Sequence, residues 1–376
     1  FIKREDEKME KIFWMPFDEA EKFMAKVFMA LGVPAEEAGT CADVLITADK
    51  RGIDSHGVGR LKPIYYDRIR EGILSPLTVF EIVKEGPATV VIDGHDGMGA
   101  VIGKRAMSMC IEKARMYGMG MAAVRNSSHY GAACYYPIMA VKEGMIGITG
   151  TNARPSMAPT FGVENMLGTN PLTIGMPTDE PFPFMIDCAT SISQRGKIEL
   201  YSREGKEIPG GWVIGQDGTE RRDTDTVLTD LVKGKAALAP LGGLGELTGG
   251  YKGYGYATAV EILSAALQDG KFLKGLSGFD TQGNKIPYSL GHFFIAINVE
   301  SFIHLERFRR IAGDILRSLR ESKKAPGRDR IFTAGEKEYI CWMERKDRGV
   351  PLNRELQRQF LQMRNELKLD WMFRFD

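Results

Sequence analysis

Two of the five histidines in this 376-residue chain stand in short polar stretches, Ser55-His56-Gly57-Val58-Gly59-Arg60 and Asn126-Ser127-Ser128-His129-Tyr130-Gly131. An imidazole exchanges a proton near neutral pH, and small or hydroxylated neighbours let a ligand approach it. In the first stretch an arginine follows the histidine by four residues, and a guanidinium fork matches the two oxygens of a carboxylate. A proton carrier beside a carboxylate clamp is equipment for a small organic acid. Taken singly, a histidine in a polar loop is more often an ordinary hydrogen-bonding residue, and an arginine a solvated one. His95, His292 and His304 lack such surroundings and are read as structural. Tyr66, shortly after Arg60, fits a ligand wall and core packing equally well.

The elements that must position these residues follow from periodicity. Ala20, Phe23, Met24, Val27, Phe28 and Leu31 recur at helical spacing, with Asp18 as the cap and Gly32 as the stop. Pro34-Ala35-Glu36-Glu37 opens a second helix that runs to about Arg51 and delivers the chain into the His56 loop. A third helix is predicted over 63–73. From about residue 86 short apolar runs bounded by Gly, Pro, Asn or Asp predict strands at 88–92, 119–124, 146–151, 172–176 and 184–186. Helical stretches at 101–117 and 135–143 fall between them, the pattern of an α/β domain. Helices return at 257–268, 302–321 and 354–368, interrupted by Phe293-Phe294-Ile295-Ala296-Ile297, a candidate returning strand. Residues 323–329 read as an exposed linker. The expected organisation is a tail over 1–16, a helical domain from 17–85 with 253–376, and an α/β domain over 86–252.

Composition narrows the function. Fifty Lys and Arg against forty-nine Asp and Glu give a net charge of +1, which offers no electrostatic case for nucleic acid or an anionic membrane. With 43% hydrophobic and 26% charged residues, the chain reads as an ordinary globular protein long enough for two domains. Cys41, Cys110, Cys134, Cys188 and Cys341 are far apart with no CxxC or CxxH, so neither a metal site nor a disulfide framework is expected and a reducing, cytoplasmic compartment fits. The opening residues 1–8 are charged and lack the apolar core of a signal peptide. No stretch approaches the roughly 18 apolar residues of a membrane span.

Gly97-Met98-Gly99-Ala100-Val101-Ile102-Gly103, after the strand at 88–92, approximates a dinucleotide phosphate loop, and the next strand ends near Arg125, where the 2′-phosphate of NADP would be met. Against this, Asp93-Gly94-His95-Asp96 separates strand from glycine, whereas the fingerprint follows its strand directly. A chain with 43 glycines also produces such spacings by chance, as at Gly243-Leu244-Gly245 and Gly253-Tyr254-Gly255. The alternative is a turn that uses glycine for backbone freedom. A bulky residue at 99 would abolish cofactor binding on the first reading and disturb only local folding on the second.

Several motifs occur together and in order: Ser55 to Leu61, Arg125 to His129, Gly168-Thr169-Asn170-Pro171-Leu172, Asp187-Cys188-Ala189-Thr190, Tyr251-Lys252-Gly253 and Ala334-Gly335-Glu336. Over about residues 17–367 the chain resembles the malate/L-lactate dehydrogenase family, which is distinct from the Rossmann-type enzymes. The resemblance implies a non-Rossmann NAD(P)-binding α/β domain with a mixed sheet, plus a mainly helical domain built from the terminal segments. It implies hydride transfer between a 2-hydroxy acid and a 2-oxo acid, with NAD or alternatively NADP as cofactor, in a homodimer or a multiple of it. His129 is favoured as the proton acceptor, with Asn126 and Ser128 holding its ring, and His56 as the orienting or partner acid. Ser55, Arg60 and Tyr66 would contact substrate. Asn152, Ala153, Pro183, Asp187, Cys188, Ala189, Tyr251, Lys252, Gly335, Glu336 and Lys337 would surround the cofactor, with glycines beside Lys252 bringing backbone amides close to it. Cys188 reads as a packing residue rather than a reactive thiol. Malate and oxaloacetate are the first choice because Arg60 with Lys62 offers more positive charge than a monocarboxylate needs. Lactate, sulfolactate, ureidoglycolate and a cyclic imine acid present the same carboxylate. A non-catalytic nucleotide-binding relative is the alternative class, and retention of both histidines speaks against it. Departures from the family are Ala334 where a proline is usual and a longer basic helix over 305–324.

Overall fold

Residues 12–376 are described by a computed structural model, with strands and helices numbered here in chain order. The described residues up to Leu77, together with Glu336–Asp376, form one unit, and Thr78–Gly335 form a second. The first opens with β1 (Phe13–Met15), α1 (Phe17–Ala30) and α2 (Ala35–Lys50). The apolar spacing of α1 buries Ala20, Phe23, Met24, Val27 and Phe28, as periodicity predicts. Its cap is Pro16 rather than Asp18, which lies inside the first turn and pairs there with Lys22. The predicted helix over 63–73 is instead a 3-10 turn at Val58–Arg60, a π-helical turn at Leu61–Tyr66 and the short α3 (Asp67–Arg70). Pro63 has no N–H to give, so a regular helical ladder cannot run through it.

The second unit carries β2 (Glu81–Glu85), β3 (Thr89–Asp93), α4 (Gly99–Tyr117), β4 (Met119–Ser127), α5 (Tyr135–Lys142) and β5 (Met145–Thr151). It continues through β6 (Leu172–Met176), β7 (Phe184–Cys188), α6 (Arg195–Arg203), β8 (Val213–Gly215), α7 (Thr224–Val232) and β9 (Ala236–Leu238). Its last elements are α8 (Gly250–Ala265), β10 (Leu290–Asn298) and α9 (Leu305–Glu321). Seven strands form one mixed sheet in the order β2-β3-β4-β10-β5-β6-β7. The β3–β4 pair, joined through α4, is parallel, and the other pairs in this sheet are antiparallel. β10 takes the middle place, bonded on one edge to β4 and on the other to β5, which explains its unbroken apolar run. Around it Ile92, Ile102, Met107, Val124, Tyr136 and Phe294 form one core. A smaller core of Ile198, Val213, Val227, Leu238 and Ala257 joins α6, α7, β8, β9 and α8.

The structure moves both domain boundaries expected from the sequence. Segment 253–335 belongs with the sheet, because α8 packs on β10, β5 and β4 and because β10 is itself the central strand. Residues 78–85 belong there too, since they supply the edge strand β2. The exposed run 323–329 lies inside the second unit, and the crossing comes at Gly335. Of the expected tail, residues 1–11 lie outside the described residues, while β1 is a paired strand.

After that crossing, α10 (Glu336–Arg345), β11 (Val350–Leu352) and α11 (Arg354–Glu366) rejoin the first unit. β11 pairs antiparallel with β1. Phe360 of α11 stacks on Phe23 with centroids 4.8 Å apart, and Phe373 meets Phe23 edge-on at 4.8 Å. Aromatic packing of this kind ties the two chain ends into one core.

Candidate active site

In the first unit the His56 turn is built on a buried carboxylate. Asp49, in the last turn of α2, accepts a hydrogen bond of 2.8 Å from the Val58 amide. Gly57 lies so close to it that a Cβ there would fall 2.0 Å from Asp49 Oδ1, so this glycine is a steric necessity. Burial pushes the Asp49 carboxyl well above the ordinary range. Above this support, Ser55 Oγ lies 2.8 Å from His56 Nδ1, and Arg60 Nε donates to the Ser55 carbonyl. Ser55, His56 and Arg60 are therefore brought onto one turn. Tyr66 is different: its ring is buried, its hydroxyl donates to Glu366 at 2.6 Å, and Arg70 donates to it at 2.7 Å. That is the packing role rather than an open ligand wall. Lys62 pairs with Asp67 at 2.8 Å, which neutralises the second positive charge that the sequence placed near Arg60.

In the second unit β3 supports the His129 loop. Asp93, the last residue of β3, receives Arg125 Nε at 2.8 Å, Asn126 Nδ2 at 2.9 Å and the His95 amide at 3.0 Å. Burial would raise its carboxyl, but the bonds from His95, Arg125 and Asn126 hold it below the ordinary range. Ser128 Oγ donates to the Gly97 carbonyl at 2.7 Å and accepts from the Gly99 amide at 2.9 Å. A Cβ on Gly99 would come within 2.3 Å of the Ser128 carbonyl oxygen and 2.7 Å of that of His129. The Gly97–Gly99 turn is thus the platform of the histidine loop, and Arg125 is bound to Asp93 and to the Gln268 carbonyl at 3.2 Å. Asn126 and Ser128 hold the loop, not the ring as expected, because their side-chain bonds run to Asp93 and to the start of α4. For the ring, the Gly131 amide reaches His129 Nδ1 at 3.3 Å. Beneath the loop Tyr130 stacks on His292, with centroids 4.5 Å apart and planes 6° from parallel. His292 is fully buried, with Nδ1 2.7 Å from Thr151 Oγ1, and burial pushes its ring down to about 3. Its structural reading from sequence fits that placement.

The residues expected around the cofactor fall into connected groups. Asp187 on β7 accepts from Thr173 Oγ1 at 2.9 Å and from the Cys134 amide, at the cap of α5, at 3.1 Å. Gly335 has φ +91°, and a Cβ there would lie 2.5 Å from the Pro183 carbonyl, so Pro183 and Gly335 are neighbours. Ala153 packs on Gly168. Cys188 is half-buried, and burial, then the Asp187 charge, pushes its thiol up, consistent with packing rather than nucleophilic work. Asn152 is fully buried; its Oδ1 accepts from Gly291 at 2.8 Å and its Nδ2 donates to the Lys271 carbonyl at 3.2 Å, so its amide ties backbone segments together. Tyr251 and Lys252 are exposed on the first turn of α8, with Lys252 Nζ 5.7 Å from the Tyr251 ring centroid. Glu336, buried, and Lys337, exposed, open α10 in the first unit.

These groups suit a nicotinamide dinucleotide. α8 starts at Gly249 (φ +86°) with no side-chain cap and no acid in its first turn, so its amides and Lys252 favour a diphosphate there. The Leu241 amide donates to the Thr190 carbonyl at 2.8 Å, and a Cβ on Gly253 would meet the Leu241 carbonyl at 2.2 Å. The end of β7 is thereby tied to the start of α8. Among the described residues no cluster of three or more His, Cys, Asp or Glu is arranged to hold a metal ion. Sequence reading missed Asp49 and Asp93. For Asp93 the signal was present in the Asp93-Gly94-His95-Asp96 insertion that spoils the glycine fingerprint.

Comparison with known proteins is consistent along the chain. A family model described as malate/L-lactate dehydrogenase matches residues 15–360. The malate dehydrogenase of Pyrococcus abyssi is 44% identical over 342 residues, 91% of this chain and 91% of that protein. The L-sulfolactate dehydrogenase of Methanocaldococcus jannaschii is 39% identical, covering 93% of this chain and 96% of that protein. The crystal structure of malate dehydrogenase from Entamoeba histolytica matches with a TM-score of 0.92 at 44% identity, covering 96% of this chain and 100% of that one. With both histidine motifs, the mixed sheet and the groups expected around a cofactor inside the matched span, the chain belongs to the malate/L-lactate dehydrogenase family.

Proposed function

We propose that malate and oxaloacetate are the pair on which this 2-hydroxy acid dehydrogenase acts, with NAD as hydride carrier. The observation that carries this reading is the Ser55-His56-Arg60 turn, where the Arg60 Nε bond to the Ser55 carbonyl holds a guanidinium, a group suited to a carboxylate, on the same turn as His56. The curated relative at 44% identity is named for malate. When bound, the nicotinamide ring takes or gives the hydride. The chain supplies the rest. His129 is the proton carrier: its protonated ring gives a proton to the substrate oxygen in reduction, and the neutral ring takes it back in oxidation. His56 orients the acid. Tyr251 and Lys252 hold the diphosphate, and Pro183, Asp187, Cys188, Ala189 and Gly335 line the nicotinamide side. Asn152 and Ala153 contribute through backbone, with Glu336 and Lys337 completing the set.

A homodimer is part of the proposal, supported by Ile311, Ile315 and Leu319 exposed along one face of α9. A cytoplasmic location rests on Cys41, Cys110, Cys134, Cys188 and Cys341 being free thiols. No helix among the described residues is long and apolar enough to cross a membrane.

Absorbance at the reduced-nicotinamide band, with oxaloacetate, pyruvate and sulfopyruvate against NADH and NADPH, tests the substrate and the cofactor together. Fastest turnover is expected with oxaloacetate and NADH. Because Lys62 is tied to Asp67, pyruvate, with a single acid group, is the competitor to watch, and faster turnover with it would transfer the assignment. His129→Asn should lower turnover by about a hundredfold or more while dinucleotide binding persists. Near-normal turnover in that variant, with loss in His56→Asn, would exchange the two roles.

A further inference from the structure

Within the first unit, the last turn of α10 meets the stretch of chain that leads into the His56 turn. Arg345, the final residue of α10, places its guanidinium on two residues just upstream of Ser55. Its Nη2 donates to Asp54 Oδ2 at 2.8 Å, and its Nη1 donates to Asp54 Oδ1 and, at 2.9 Å, to the Asp49 carbonyl. A fork of this kind fixes the orientation of a carboxylate as well as its position. One turn earlier on α10, Cys341 fills the space beside Gly52, where a Cβ would fall 2.6 Å from its Sγ. Cys341 and Arg345 together floor the stretch from Asp49 to Asp54.

That stretch carries the substrate turn. α2 is stopped at Gly52 (φ +74°), with the Gly52 amide donating to the Asp49 carbonyl at 3.1 Å and the Ile53 amide to the Ala48 carbonyl at 2.9 Å. Two residues then lead into the turn. Asp49 supports it from one side, its carboxylate on the Val58 amide and its carbonyl on Arg345. Asp54 supports it from the other, joined by the peptide bond to Ser55, whose carbonyl holds Arg60. One guanidinium thus grips both supports of the segment that presents His56 and Arg60. It also acts through charge. Asp54 is half exposed and adjoins the turn, so an unpaired carboxylate there would repel an incoming anion; Arg345, only 14% exposed, neutralises it beforehand.

We propose that Arg345 is a positioning residue for the 2-oxo acid. By forking Asp54 and holding the Asp49 carbonyl it sets where His56 and Arg60 stand, and it cancels the acidic charge beside them. Its action passes through Asp49 and Asp54. The inference rests on the reading above that the His56 turn receives the acid, and it adds the residue from the far end of the chain that makes the turn competent.

Steady-state kinetics with oxaloacetate and NADH, beside NADH binding by calorimetry, test the assignment. Arg345→Met should raise KM for oxaloacetate at least about tenfold, with kcat falling less than about threefold and NADH affinity kept within about twofold. Arg345→Lys keeps the charge without the fork and should raise KM by about three- to tenfold. Asp54→Asn, at a half-exposed position that folding does not depend on, should raise it about threefold. Combined with Arg345→Met, it should bring KM back below that of Arg345→Met alone, because the unpaired carboxylate is gone; a contact that served only stability would show no such recovery. Met343→Ala, at an exposed position on α10, is the control and should leave KM unchanged. The proposal is overturned by KM values within about twofold of wild type in folded Arg345→Lys and Asp54→Asn while Arg60→Lys raises KM, or by a double variant that recovers nothing. The parent reading fails differently, by Arg60→Lys and His56→Asn that leave KM for the acid where it was.

Discussion

Gly57 and Asp49 set the His56 turn at a tolerance that admits no side chain. Because a Cβ at 57 would overlap the Asp49 carboxylate, Gly57→Ala must push the turn off its support or expel the carboxylate from its bond to Val58. Either outcome displaces His56 and Arg60 together. The KM for the oxo acid is therefore expected to rise at least about tenfold, and stability to fall by about 1–3 kcal/mol, readable in urea unfolding. An unchanged KM would show that the turn does not serve the substrate. His292 makes a second prediction at this scale. Its buried ring has a folded pKa near 3 against about 6.5 when unfolded, so below pH 6.5 the unfolded chain binds a proton that the folded chain refuses. Stability is then full above about pH 6.5 and is lost steadily as pH falls towards 3, by about 2 kcal/mol from this one group at pH 5. His292→Gln lacks the titration, and the difference between its urea midpoints at pH 7.5 and pH 5 should shrink by a corresponding amount relative to wild type. Equal differences in the two proteins would mean that the ring is protonated in the fold.

At the scale of elements, the α4 start and the His129 loop form one device. Gly99→Ala puts a methyl against the carbonyls of Ser128 and His129, so turnover is expected to fall about a hundredfold while ADP-ribose binding in calorimetry stays within about twofold. Loss of ADP-ribose binding instead would restore the phosphate-loop reading of Gly97 to Gly103. How far such devices are legible in a sequence depends on how local their causes are. β6 is predicted at 172–176 and found at Leu172–Met176, and the run at Phe293 to Ile297 is found inside β10, because apolar runs bounded by turn residues carry their own signal. β2, Glu-Ile-Val-Lys-Glu, escapes notice because an edge strand keeps charges that central strands exclude. The small helices α6 and α7 are also missed, since they bury few residues against a minor core. In the site, His56, His129 and Arg60 are visible as short motifs. The supports are not: Asp93 acts on Arg125 and Asn126 from the neighbouring strand, more than thirty residues away, and only the β3–β4 pairing brings them together.

For the whole molecule, the decisive fact is that the unit carrying His56 is made from both ends of the chain, whereas the sheet unit is one continuous stretch. Residues 17–50 cannot complete their core until β11 and α11 are in place, since Phe23 needs Phe360 and Phe373, and β1 needs β11. The sheet unit has its own core around β10 and its own paired strands, with no residue drawn from either end. Phe360 is the residue on which this difference can be tested. It is 1% exposed, and replacing it with alanine removes a stacked ring and leaves a cavity, a change that costs about 3–5 kcal/mol in comparable cores. If the two units hold themselves together separately, hydrogen exchange in Phe360→Ala should accelerate in α1, β1, β11 and α11 by more than about a hundredfold, while amides of β4, β5 and β10 keep their protection. ADP-ribose, whose diphosphate is proposed to sit at Tyr251 and Lys252 within Thr78–Gly335, should still bind in calorimetry even as turnover falls with the disturbed His56 turn. Equal acceleration in β10 would instead mean that the protein unfolds as a single cooperative block, with the terminal segments supporting the sheet as much as each other.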